Sequence, residues 1–95
     1  MKKFVPMTVG FTQPTPEITQ DWMKWFESIQ DKMIEQVGLG NGKEINEEGI
    51  QQLPMDKNII TGYLKIYAEN MEEALEIAKA CPMITSTKVF EVMLR

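Results

Sequence analysis

Four polar side chains in the second half of the chain are of types that could carry out acid–base chemistry. Asp56 and Glu91 could each accept a proton, and Tyr63 could donate one. Lys65 could hold an anion. A base that works near neutral pH needs a raised pKa, and burial raises the pKa of a carboxylate. A structural alternative stays open, in which Asp56 is a turn acid while Lys65 and Glu91 form a cross-strand ion pair.

The other reactive groups are few. The sequence has no histidine, which removes the commonest general base near neutral pH and the commonest zinc ligand. Its single cysteine, Cys81, falls at the C-terminal end of a predicted helix, where the helix dipole disfavours a thiolate. We therefore interpret Cys81 as a structural thiol and expect neither a metal site nor a cofactor.

Aromatic and sulfur-containing side chains could bind an apolar ligand. Trp22, Trp25 and Phe26 are spaced to share one helical face, as core residues or as the wall of a pocket between a helix and the sheet. The eight methionines could form an adaptable surface or fill gaps in the core. The candidate ligand-binding residues are Tyr63, Lys65, Tyr67 and Trp22.

Composition narrows the classes of protein to consider. Residues 1–95 predict a single domain, and 43% hydrophobic residues suffice for a core. The net charge of −4 argues against nucleic acid and anionic membrane as partners. No apolar run approaches the roughly 20 residues that span a bilayer, and no signal-peptide core is evident. With the lone thiol, these features predict a cytoplasmic protein.

The first part of the chain predicts a strand and then a long helix. Residues 2–9 have strand character, although Pro6 lacks an N–H to donate and should cause a local irregularity. Thr15 and Pro16 form a strong helix start. Apolar residues then recur at helical spacing, so we predict a helix over 16–37.

The remaining part predicts a hairpin, two strands and a second helix. In chain order, the predicted elements are a glycine-rich turn over 38–42, a hairpin over 43–52, a loop over 53–58, a strand over 59–68, a helix from Asn70 to Pro82 and a strand over 87–94. Gly49 should take the left-handed conformation that hairpin loops often need. Asn70 should cap the second helix, with Glu73 three residues on.

This order predicts an α+β domain of the ferredoxin-like βαββαβ type, with an antiparallel sheet and two helices on one face. The strand over 59–68 is apolar on both sides. We expect Ile60, Leu64, Ile66 and Ala68 to face the helices, and Ile59, Tyr63, Lys65 and Tyr67 to face away. Because two helices cover only one face, a second copy should cover the other. The sequence therefore predicts a homodimer formed through the open sheet face.

Several segments together resemble the YCII-related (DGPF-domain) family over nearly the whole chain. They are Lys2–Phe4 opening a strand, Thr15–Glu17 followed by Trp22-Met23-x-Trp25-Phe26, the glycine-rich 38–42, Gly62-Tyr63, the run 69–82, and Val89-x-Glu91-Val92. The resemblance implies a dimeric α+β barrel, in which two ferredoxin-like subunits press their sheets together. Some members have been proposed as enzymes that use a histidine–aspartate pair.

This chain departs from the enzyme-like pattern of that family. It has no histidine, and Pro54-Met55-Asp56-Lys57 stands where the Asp-Gly-Pro-Phe motif is expected, so that only Asp56 matches. We therefore expect a homodimeric module that binds a small apolar or aromatic molecule or modulates another protein. The alternative is a cofactor-free enzyme acting on a small cyclic or carbonyl compound, with Asp56 or Glu91 as base and Tyr63 as donor.

Overall fold

A computed structural model describes residues 1–93 of this chain. Its elements are β1 (Lys2–Val9), α1 (Pro16–Ser28), β2 (Met33–Gly38), β3 (Lys43–Asn46), β4 (Gly49–Gln52), β5 (Ile60–Ala68), α2 (Met71–Lys79) and β6 (Ser86–Glu91). Two helices and antiparallel sheets make this an α+β fold, as the sequence predicts. The predicted last strand over 87–94 agrees in part with β6, which covers 86–91. Leu94 lies outside the described residues.

Four strands form the main sheet, and two form a separate ribbon. The main sheet has the order β2-β5-β1-β6, and each neighbouring pair is antiparallel. Strands β3 and β4 pair only with each other, and Gly49 has a φ of 131° at the end of their short turn. The predicted hairpin over 43–52 and its left-handed glycine are thus confirmed.

Both helices cover the same face of the main sheet. Trp25 of α1 and Ala74 of α2 are buried in one cluster with Phe4, Leu64 and Ile66 of the two central strands. The Trp25 indole Nε1–H also donates to the Ile77 carbonyl at 3.1 Å, which joins α1 to α2 directly. The opposite side of the sheet, called here the open face, receives no helix from the described chain.

The predicted helix over 16–37 is wrong in its second half, because α1 ends at Ser28 and β2 occupies 33–38. The Ser28 hydroxyl donates to the Trp25 carbonyl at 2.6 Å, and a turn follows in which Met33 N–H donates to the Ile29 carbonyl at 3.0 Å. The misleading signal is the spacing of four between Met33 and Val37. This spacing continues the helical pattern of α1, but in β2 the two residues lie on opposite faces, because the register shifts between Met33 and Glu35 and leaves Met33 opposite Ile66 and Val37 opposite Tyr63.

Two further details of the sheet bear on the sequence predictions. Pro6 lies fully buried in a central strand, and the pairing of β1 with β5 runs through Phe4 and resumes only at Met7. The register is the same on both sides of Pro6, and the register shift in this pairing lies between Thr8 and Val9, so the expected irregularity at Pro6 is wrong in its position. Leu64 is buried on the helix side as predicted, but Ile60 at the start of β5 remains 41% exposed.

Candidate functional site

A cavity of about 350 Å³ lies between α1 and one end of the main sheet. Its walls come from the end of β1 and the loop after it, one side of α1, the end of β2, the first half of β5 and the loop before β6. The residues that carry the argument below are Thr8, Phe11, Trp22, Phe26, Gln36 and Thr61. This volume is in the range of cavities that bind small organic molecules.

The helix side of the cavity is an aromatic wall. Trp22 and Phe26 lie four residues apart on α1, and their ring centroids are 5.7 Å apart. Trp25 packs edge-on against Trp22 at 5.7 Å, but it is only 5% exposed and belongs to the core. The sequence left open whether these aromatic residues belong to the core or line a pocket. Trp25 is a core residue, whereas the half-buried Trp22 and Phe26 line the cavity.

Local sequence fixes where this wall begins. The Thr15 hydroxyl accepts a hydrogen bond from Ile18 N–H at 3.2 Å, and Pro16 occupies the first turn. Both features stabilise the start of a helix. Since α1 begins there, Ile18 and Trp22 fall on the side of the helix that faces the cavity.

The polar groups that line the cavity are uncharged. The Thr8 and Thr61 hydroxyls are 3.1 Å apart, and the Gln36 carboxamide belongs to the same lining. No aspartate, glutamate, lysine or arginine belongs to the lining among residues 1–93. Such a surface can hydrogen-bond a neutral ligand, but it offers no counter-ion to a charged one.

Glycine at two positions allows close approach of the chain segments that border the cavity. A Cβ at Gly62 would lie 2.8 Å from the Val37 carbonyl oxygen. Gly10 has a φ of 113°, and a Cβ there would lie 2.9 Å from the backbone nitrogen of Thr85. Neither position accommodates a larger residue without moving the backbone, because both obstacles are main-chain atoms.

The open face presents a mixture of apolar and basic side chains. Strand register places Val5 opposite Phe90, Met7 opposite Tyr63 and Lys88, and Val37 opposite Tyr63. Two large aromatic side chains of this face are exposed, Phe90 by 51% and Tyr67 by 39%. An exposed group of this kind usually marks an interaction surface.

Tyr63 and Glu35 form a hydrogen-bonded pair on the open face. The Tyr63 hydroxyl donates to Glu35 Oε1 at 2.8 Å. This hydrogen bond, together with desolvation and the nearby negative charge, raises the pKa of Tyr63 above its ordinary value. The role of Tyr63 as a proton donor to a substrate stays a prediction, and in the structure its hydroxyl donates to Glu35, a residue within the predicted helix over 16–37.

We expect the Glu35→Ala substitution to lower the pKa of Tyr63 towards that of a free phenol. The change removes the acceptor and its negative charge, both of which favour the neutral phenol. Glu35→Gln should have a smaller effect, because a carboxamide oxygen still accepts the hydrogen bond. The measurement is an ultraviolet titration of phenolate in a Tyr67→Phe background, which leaves one tyrosine. An unchanged titration curve in Glu35→Ala would contradict the assignment.

The candidate catalytic carboxylates do not meet Tyr63. Asp56 Oδ1 accepts from Asn58 N–H at 2.8 Å, which makes Asp56 a turn acid in the loop before β5. Glu91 is opposite Phe4 and therefore lies on the helix side of the sheet, whereas Tyr63 lies on the open face. A cofactor-free enzyme stays a prediction, and its predicted base and donor lie on different elements and faces.

The expected ion pair between Lys65 and Glu91 is wrong. Their strands, β5 and β6, are separated by β1 in the sheet, so the two residues are not cross-strand neighbours. Glu91 instead lies 3.9 Å from the Lys2 ammonium, and Lys65 is opposite Glu35. Lys65 and Tyr67 thus share the open face with Tyr63 and do not line the cavity. Of the four predicted ligand-binding residues, Trp22 and Tyr63 are lining residues of the cavity.

Cys81 has a structural environment. The thiol is buried, and its Sγ lies 3.3 Å from the Thr87 hydroxyl. Burial raises the pKa of Cys81, which favours the unreactive thiol.

Residues 1–93 contain no group of three acidic, cysteine or histidine side chains arranged to hold a metal ion. In the same part of the chain, neither helix has the length and apolar character that crossing a membrane requires. Comparison with protein-family models and with curated proteins gives no match for this sequence.

Proposed function

We propose that this protein is a homodimeric module that binds a small, uncharged, partly apolar molecule in the cavity between α1 and the main sheet. The observation that carries the proposal is the cavity itself, with Trp22 and Phe26 on one side and only neutral polar groups among its lining residues. Aromatic rings bind flat apolar groups through large contact areas. The Thr8, Thr61 and Gln36 side chains supply hydrogen bonds that orient such a ligand.

The proposed architecture is a ferredoxin-like subunit of the YCII-related type that carries an inserted hairpin. Without β3 and β4, the chain order is strand, helix, strand, strand, helix, strand. The two central strands are then the first and the third, as a split βαβ arrangement requires. The inserted ribbon lies between the second and third strands of that arrangement.

The homodimer in this proposal forms through the open face. Phe90, Tyr67, Val5 and Met7 form a surface that neither helix covers. Burial of such a surface against a second copy is favourable in proportion to the apolar area removed from water. A chain of 95 residues also has a small core, so association adds to its stability.

We expect naphthol, an uncharged bicyclic probe with one hydroxyl, to bind the wild-type protein more tightly than the anion naphthoate does. Naphthoate would lose its hydration without gaining a cationic partner in the cavity. Substitution of Trp22 by alanine should weaken naphthol binding by about tenfold, because the aromatic wall is removed. Isothermal titration calorimetry measures both affinities.

The matched control is Met23→Ala. Met23 is adjacent to Trp22 on α1, but its side chain is 59% exposed and does not line the cavity. The proposal predicts wild-type affinity for Met23→Ala. Equal binding of naphthol and naphthoate, or unchanged naphthol binding in Trp22→Ala, would count against the assigned cavity.

A further inference from the structure

The ribbon of β3 and β4, residues 43–52, is called here the hairpin arm. All ten of its residues are exposed. Its base is closed by a hydrogen bond from Leu53 N–H to the Gly42 carbonyl at 2.9 Å and by the Gln52 side chain, which donates to the same carbonyl at 3.1 Å. Beyond that base, its strands pair only with each other.

The arm projects from the body of the protein. The radius of gyration is 14.5 Å, whereas a compact domain of this length has about 12.4 Å. The overall extents of 41 × 40 × 18 Å describe a flat molecule rather than a sphere. A second molecule can therefore contact the arm without first displacing other elements.

One side of the arm is apolar and uncovered. Ile45 and Ile50 are directly opposite each other in the ribbon, so their side chains lie on the same face. They are 77% and 69% exposed. An isolated two-stranded hairpin is only marginally stable in water, so this arm gains stability when something covers the isoleucine pair.

Charge identifies the surface that fits the arm. The arm contains Lys43 and three glutamates, Glu44, Glu47 and Glu48, and therefore has a net charge of −2. The open face carries three lysines and one glutamate, a net charge of +2, contributed by Lys3, Lys65, Lys88 and Glu35. Contact between two arms would bring like charges together, and so would contact between two open faces alone. Contact between an arm and an open face pairs opposite charges.

We propose that the hairpin arm of one copy docks on the open face of a second copy, with Ile45 and Ile50 against its exposed apolar residues. Two such contacts, related by the two-fold axis of a homodimer, would offset the repulsion between the facing lysines. This inference rests on the proposed homodimer and deepens it by assigning the arm as part of the interface. The occupant of the isoleucine pair is then a second copy of this chain.

The first test replaces both isoleucines with threonine. Ile45→Thr/Ile50→Thr keeps β-branched side chains, which suit a strand, but removes the apolar contact. We expect the dissociation constant of the dimer, measured by sedimentation equilibrium, to increase by about tenfold or more. Ile84→Thr is the control, since Ile84 is 42% exposed in the loop before β6, outside both the arm and the open face.

The second test exchanges the charges of the two surfaces. Glu47→Lys/Glu48→Lys makes the arm positive, and Lys3→Glu/Lys88→Glu makes the open face negative. We expect each double variant alone to weaken the dimer by about tenfold, and the combination of all four changes to recover most of the wild-type affinity. Rescue of this kind requires the two surfaces to be close together, which a purely structural role of the arm would not produce.

The possible outcomes distinguish a failure of the arm assignment from a failure of the proposed homodimer. If the wild-type protein dimerises but the isoleucine variant keeps its affinity, or the combined charge variant shows no rescue, the arm assignment is overturned and the dimer stands. If the wild-type protein is monomeric at high concentration, the proposed dimer fails and the arm assignment fails with it. Weakening by the isoleucine change together with charge rescue supports the inference.

Discussion

Replacement of Trp25 with alanine should lower the free energy of unfolding by about 3–5 kcal/mol, a typical cost of truncating a large buried aromatic side chain. Trp25 is 5% exposed, contacts Trp22 edge-on and lies in the cluster that joins α1 to the sheet. Small domains have about 5–15 kcal/mol of stability in total. The variant should therefore lose a substantial fraction of its stability, which urea unfolding followed by circular dichroism measures.

Two companion variants separate the causes of that loss. Trp25→Phe keeps an aromatic ring but removes the indole N–H that donates to the Ile77 carbonyl at 3.1 Å. We expect it to cost less than alanine but clearly more than zero, because a partly buried carbonyl loses its donor and a smaller ring leaves a gap. Trp22→Phe, on the half-buried wall of the cavity, should cost less than Trp25→Phe. A loss below about 1 kcal/mol in Trp25→Ala would contradict the role of Trp25 as the link between the helices.

The second half of the fold is predictable from sequence because its signals are local. Asn70 accepts a hydrogen bond from Glu73 N–H at 2.9 Å and begins α2 as predicted. The Glu73 side chain, however, lies 3.5 Å from the Lys32 ammonium. Lys32 precedes β2, so this contact depends on the position of a strand that the helical pattern concealed. Caps and turn glycines are visible in sequence, whereas contacts between distant elements are not.

The strand β2 shows why a periodic pattern can mislead. Met33 packs against the core, while Ile34 is 39% exposed and Val37 is half-buried. Pairing with β5 supplies the hydrogen bonds that decide between strand and helix in this segment. This pairing joins residues about 30 positions apart in the chain, and local spacing contains no information about it.

The candidate site was predictable only in part for the same reason. Trp22 and Phe26 were recognised from their helical spacing, and both line the cavity. Thr8 and Thr61 are 53 positions apart, and their hydroxyls meet only because β1 and β5 are neighbours. The expected Lys65–Glu91 ion pair does not form for the same reason, because β1 lies between the two strands that carry these residues. Strand order decides which polar side chains meet, and the sequence does not display strand order directly.

Substitution of Phe90 by glutamate should weaken the proposed homodimer by about a hundredfold or more, since it places a carboxylate where an aromatic side chain would be buried. Phe90 lies on the edge strand β6, opposite Val5, and is 51% exposed within one copy. Because it contributes little to the core of the single subunit, the fold of that subunit should persist. Circular dichroism of the variant should match the wild type, while sedimentation equilibrium should show a monomer.

Leu75→Glu is the matched control for that experiment. Leu75 is 49% exposed, nearly the same as Phe90, but it lies on α2, on the opposite side of the sheet. The same gain of negative charge on a similarly exposed apolar residue should leave the dimer intact, because α2 belongs neither to the open face nor to the hairpin arm. An equal loss of association in both variants would indicate a general effect of charge. A wild-type protein that remains monomeric at high concentration, with Tyr67 and Phe90 in contact with water, would contradict burial of the open face.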